Sequence, residues 1–232
     1  IQYIASNKRF KNPFSEPNDS FFNWHKYLIS SILLIAVFNV FRLEILTFFQ
    51  NEYFASAIPS SNGGRPILDK NILQFRDVWM MNYLLVFLSG LAFLNLKKIK
   101  HQVLGQMNLF INLFAILAFL LAGLYILSEI RETYLGNVQG EYYHRGLAFQ
   151  FVRYISLGIL TLIVYSTYKL AKEKFVNLHY PKVIEIGIYT IILWILSSEL
   201  LHWMDIMDAK NSYKLALSIL WGSFALLMVW IG

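Results

Sequence analysis

Apolar residues gather in six long stretches separated by short polar connections, and this pattern covers most of the 232 residues. Hydrocarbon solvates no backbone N–H or C=O, so a run of about 20 apolar residues crosses it only as a helix that satisfies its own backbone. The pattern predicts an all-α, polytopic transmembrane helix bundle of about six spans. The first span is Tyr27 to Phe41, followed by Arg42 and Glu44 and then a further apolar patch through Phe49. Arg42 is expected near a membrane interface. The second covers Val78 to Leu96 and is closed by Lys97, Lys98 and Lys100; the third, Gln102 to Ser128, is the longest uncharged run in the chain. The fourth centres on Tyr154 to Tyr168, with Gly146 to Arg153 leading into it as a partly interfacial turn. The fifth, Val183 to Met204, is less apolar because it carries Glu185 and Glu199, and the sixth begins at Leu215.

Lys and Arg in short loops are retained on the cytoplasmic side, which orients the set. With the N-terminus inside, that side collects Lys8, Arg9, Lys11, Lys26, Lys97, Lys98, Lys100, Lys169, Lys172, Lys174 and Lys182 against four acids, a net of +7. The other side nets −1. An N-in, C-in topology follows as the expectation, with residues 1–232 forming one transmembrane module and two extracytoplasmic connections, 50–77 and 129–153. The first connection contains Pro59-Ser60-Ser61-Asn62-Gly63-Gly64-Arg65-Pro66, which no helix continues through. Phe48, Phe49, Tyr53 and Phe54 before it suit the headgroup layer, where an aromatic ring keeps one edge wet.

Composition supports the same class. Only 15% of residues are charged while 57% are hydrophobic, where a soluble domain carries roughly a quarter charged. A formal charge of +6 could point to nucleic acid, but the cations sit beside apolar runs rather than along a recognition helix, so a nucleic-acid partner is not expected. The partners expected are the lipid bilayer and other membrane helices. The chain has no Cys, which removes disulfides, thiolate metal sites and cysteine nucleophiles. It starts at Ile1 and stops at Gly232 within an apolar run, which reads as a fragment of a longer multipass protein.

The most chemical-looking constellation is Glu199, His202, Asp205 and Asp208, at the outer end of the fifth span. Three-residue spacing places the first three in one sector of a helix, where they could converge on a metal or relay a proton. Ionisable groups within a membrane are costly and often functional. Glu199 and His202 are the candidate catalytic pair. The structural alternative is a packing pair hydrogen-bonded to a neighbour such as Arg153. Asp205 and Asp208 are expected in the solvated connection before Lys210 and Lys214. Glu-x-x-His alone does not define a metal site, and neither a metal nor a cofactor is assigned. Glu185, fourteen residues before Glu199, returns to nearly the same face and is expected to reach the cytoplasmic interface near Lys182.

In the third span Gln106, Asn108 and Asn112 bring amides into the apolar run, either as polar links between helices or as the lining of a substrate path. Tyr142, Tyr143, His144 and Arg145 combine aromatics with charge, as headgroup or carbohydrate binders do and as an interfacial belt also does. With Asn108, Asn112, Glu185 and Arg153 they complete the candidate substrate-binding set. Ala118 with Ala122 and Ser218 with Gly222 allow close helix approach. No phosphate loop, His-Glu-x-x-His helix or Gly-x-Ser-x-Gly elbow occurs, so ATPase, zinc protease and α/β-hydrolase readings have no support.

Residues 197–232 carry Ser198-Glu199, then Leu217-Ser218 with Leu220-Trp221, and the closing Ile231-Gly232. This stretch resembles the domain of unknown function 2339 family, multipass membrane proteins of bacteria. The resemblance implies an inner-membrane protein of the cell envelope cut from a larger chain, and it brings no established reaction. Three functional expectations follow: a transport module or one handling lipid or glycan precursors, a membrane-embedded transferase with its site on the outer side, or a non-catalytic scaffold.

Overall fold

The computed structural model describes residues 19–59, 64–136, 143, 146, 148–177 and 181–231. These residues are almost wholly helical. The helices are α1 (Asp19–Ala55), α2 (Asn71–Leu94), α3 (Gln102–Ala118), α4 (Leu124–Gly136), α5 (Ala148–Lys172), α6 (Pro181–Ile206) and α7 (Tyr213–Ile231). A π turn, Phe119–Gly123, joins α3 to α4 as one continuous span, and a second, Asn95–Ile99, ends α2. Among the described residues, six helical stretches are long and apolar enough to cross a membrane: Leu28–Ala55, Asn71–Ile99, Gln102–Leu135, Ala148–Lys172, Val183–Ile206 and Tyr213–Trp230. By internal contacts the chain divides into two compact units, Ile1–Thr47 and Phe48–Gly232.

The first unit's described residues all belong to α1. This helix does not stop at Phe41, where the sequence ends the first span. It runs on to Ala55, because no Gly or Pro follows until Pro59 and the chain is again apolar from Ile45. A single Arg and Glu on a helix surface leave its hydrogen-bond ladder intact.

In the second unit, the chain after α1 closes on itself. Ile58 and Ile67 pair as an isolated antiparallel bridge, exchanging hydrogen bonds of 3.0 and 2.9 Å across the turn-rich sequence. Ser56 Oγ donates to the Tyr53 carbonyl at 2.7 Å and accepts from Asp69 N–H at 3.0 Å. Asp69 in turn accepts the Asn71 N–H at 3.1 Å, satisfying one of the free donors at the start of a helix. The second span therefore begins seven residues before the expected Val78. Residues 50–55 and 71–77 of the expected outer connection are helix, as are 129–136 and 148–153 of the other.

The core lies among α2, α3, α4 and α5. Val152, Ser156, Leu160, Ile163, Thr167 and Leu170 mark a stripe along α5 with helical spacing. This stripe meets Val78, Leu85 and Leu88 of α2 together with Ile116, Phe119, Leu127 and Ile130 of the third span. A smaller cluster of Ala92, Leu109, Leu170, Ala171 and Val176 closes the basic end. There Gly105 permits a close approach: a Cβ would lie 3.1 Å from both Asn95 Nδ2 and Val176 Cγ2. The Asn95 side chain brackets the backbone of His101, and Gln106 Nε2 donates to the Val176 carbonyl at 3.0 Å.

Away from this core the spans present large apolar side chains outward. Phe110 is 73% exposed, Phe114 68% and Val229 81%. Patches of that kind on every described span would be untenable in water and are ordinary against lipid.

Candidate functional site

Three helices bring charge to one end of the second unit. Helix α4 supplies Arg131, α5 supplies Arg153, and α6 supplies Glu199, His202 and Asp205. Arg153 is 2% exposed, and its Nε donates to Glu199 Oε1 at 2.6 Å. Its Nη2 donates to the Ser198 carbonyl at 3.2 Å and to Ser198 Oγ at 2.7 Å. One guanidinium thus grips both side chain and backbone of the α6 turn before His202. Arg131, also buried, forms an ion pair with Asp205 and lies 3.7 Å from Glu132.

Asp205 was expected in a solvated connection. Instead α6 continues to Ile206, because nothing between Met204 and Ile206 interrupts a helix, and Asp205 turns inward to Arg131. Asp208 does lie beyond the helix end, exposed and with a φ of 53°. Sequence reasoning missed Arg131 entirely. The signal was present: Gly123, Leu124, Leu127, Ile130 and Arg131 keep the three- and four-residue spacing of a buried helix face past Ser128, where the uncharged run stops.

His202 sits between these two pairs. It is 1% exposed, and neither Nδ1 nor Nε2 has a hydrogen-bond partner among the described residues. Its ring stands edge-on to Tyr154, with centroids 6.5 Å apart, and lies close enough to both guanidiniums to feel their fields. Arg131 Nε and Arg153 Nη1 are likewise buried without partners. Two salt bridges, each drawing one residue from α6, therefore flank a buried imidazole.

The other candidates are dispersed. Asn112 Nδ2 donates to Thr167 Oγ1 at 3.0 Å, linking α3 to α5, as Asn82 Nδ2 to Ser156 Oγ at 2.9 Å links α2 to α5. Asn108 is buried in the same face, its Nδ2 unpartnered among the described residues. Replacing Thr167 with Val should cost about 0.6 kcal/mol, the average of interhelical hydrogen bonds in membranes, and no more than about 1.7 kcal/mol. Thermal unfolding of the variant in detergent, compared with the parent chain, checks this. Glu185 pairs with Lys172 at 3.4 Å, both about half exposed. It lies fourteen residues from Glu199, about 21 Å along the helix, so the two carboxylates share a face of α6 but not a site. Tyr143 reaches the connection between α1 and α2, its hydroxyl proton shared between the carbonyls of Ser56 at 2.7 Å and Ile67 at 2.8 Å. Tyr142, His144 and Arg145 lie outside the described residues.

No group of three His, Asp or Glu among the described residues is placed to hold a metal ion. Glu199 and Asp205 each face an arginine. Fold and site together define a multipass helical membrane protein with a charged layer buried at one end of its spans. Comparison with protein-family models, curated proteins and solved structures gave no match, so the functional reading rests on the chemistry of the cluster.

Proposed function

We propose that the protein is a transport module, or one handling lipid or glycan precursors, of the bacterial inner membrane, akin to the domain of unknown function 2339 family. In this reading the termini face the cytoplasm and the working site is the His202 cluster at the outer end. The observation that carries it is the imidazole of His202, buried between two ion pairs with both nitrogens unpartnered among the described residues. A buried polar group without a partner costs about 1–3 kcal/mol, a cost a purely structural helix contact avoids by placing a Leu there. A site that opens to water or solute gives the ring its partners in another state. The flanking pairs suit such a change: Arg131–Asp205 and Arg153–Glu199 join α6 to two different helices, so separating them frees α6 at this end.

A transferase is less well supported by the same geometry. Glu199 and Asp205, the carboxylates able to act as base or nucleophile, are both engaged by guanidinium groups.

The chain has no Cys, so single-cysteine labelling needs no prior engineering. His202→Cys in the full protein in membranes should react with a membrane-impermeant methanethiosulfonate added from the extracytoplasmic side. Leu226→Cys, on an outward face of α7, should stay unlabelled. Protection of position 202 from both sides would sink the transport reading and leave a scaffold.

A further inference from the structure

The two ion pairs between α5 and α6 are far apart: Arg153 with Glu199 near one end, Lys172 with Glu185 near the other. Between them lies a groove of about 400 Å³, lined by residues of both helices. Val164, Ile188, Ile191, Ile192 and Ile195 line it with aliphatic surface, Thr161, Tyr165 and Tyr189 add a hydroxyl and two rings, and Tyr168 and Glu185 stand at its polar end. From Glu185 to Ile195 the groove follows ten residues of α6, about 15 Å. That is half of a hydrocarbon core of about 30 Å, the depth of one leaflet.

We infer that this groove binds one phospholipid bearing a primary amine, its acyl chain along the isoleucines and its headgroup at the Lys172–Glu185 end. The charge pattern selects the headgroup. Glu185 is the sole charged side chain lining the groove among the described residues, and its pairing with Lys172 at 3.4 Å is half exposed, so an entering cation with N–H bonds to give can take the carboxylate while the lysine turns to the phosphate. Lys172 and Lys169 stand just beyond, over the rings of Tyr168 and Tyr165 at 4.3 and 5.6 Å, where they meet a phosphate. A headgroup with phosphate and ammonium side by side matches a lysine and a glutamate 3.4 Å apart. An anionic headgroup without an amine would set its charge against Glu185, and a quaternary amine has no N–H to donate. Nothing in this inference depends on His202; it requires only that α5 and α6 lie in a bilayer.

The test is native mass spectrometry of the purified full chain in detergent, titrated separately with phosphatidylethanolamine, phosphatidylcholine and phosphatidylglycerol of identical acyl chains. One phosphatidylethanolamine should be retained per chain, about fivefold more tightly than phosphatidylcholine, the scale of a charge-assisted hydrogen bond at a half-wet site. Glu185→Gln should abolish that preference while leaving chain-dependent retention. Ile192→Trp, which fills the groove from an exposed position, should weaken all three lipids alike. Equal retention of the three, a preference for phosphatidylglycerol, or a preference unchanged by Glu185→Gln would each overturn the assignment.

Discussion

Replacing Glu199 with Leu should destabilise the protein by about 3–5 kcal/mol, whereas the double variant Arg153→Met/Glu199→Leu should recover most of that loss. The reason lies in what each change leaves behind. Arg153 is 2% exposed, and its Nε–H is aimed at Glu199 from 2.6 Å. With the carboxylate gone, the guanidinium keeps Ser198 but is buried without a counter-charge. Replacing both partners removes the uncompensated charge and substitutes apolar contact, which in buried pairs is often neutral or better. Thermal unfolding of the parent, both single variants and the double variant in one detergent closes the cycle. Additive losses would mean that Arg153 and Glu199 do not depend on each other, contrary to the geometry.

The same pair shows what the sequence could and could not reveal. Helix existence was legible, because an apolar run such as Gln102 to Ser128 reports the medium that surrounds it rather than a particular neighbour. Helix ends were not. Arg42 and Asp205 look like stops when charge is read as a sign of water, yet a helix ends where its backbone ladder fails, and a charge is tolerated wherever a partner meets it. Whether a partner is present is a property of the packed chain. Arg153 could be named beside Glu199 because its position near the outer end of the fourth span was already implied. Arg131 lies three residues beyond the uncharged run and was assigned to a loop. The amides illustrate a milder failure: on sequence Asn112 reads either as a polar link between helices or as part of a substrate path, and only the structure shows its partner, the Thr167 hydroxyl of α5. Asn82, which makes the same kind of link to Ser156, was not singled out.

Position 123 should change the sign of its response with the residue at 119. Gly123→Ala alone should cost about 1–3 kcal/mol by overpacking, since its Cβ would fall 2.8 Å from Phe119 Cδ2. Phe119 is 1% exposed and enclosed by the core of the third span, so its ring has no free space to yield. Phe119→Ala should cost about 3–5 kcal/mol for the lost contacts and the cavity. In that background the methyl of Gly123→Ala enters the space the ring leaves, and alanine exceeds glycine in helix propensity by about 1 kcal/mol. There the second substitution should be neutral or stabilising. Unfolding of the four proteins measures the coupling, and an equal cost of Gly123→Ala in both backgrounds would refute it. The consequence reaches the charged layer, because the π turn Phe119–Gly123 sets the direction in which α4 leaves and Arg131 follows eight residues later, about 12 Å along the helix. If that turn aims Arg131 at Asp205, then Asp205→Asn should cost less in the Gly123→Ala protein than in the parent.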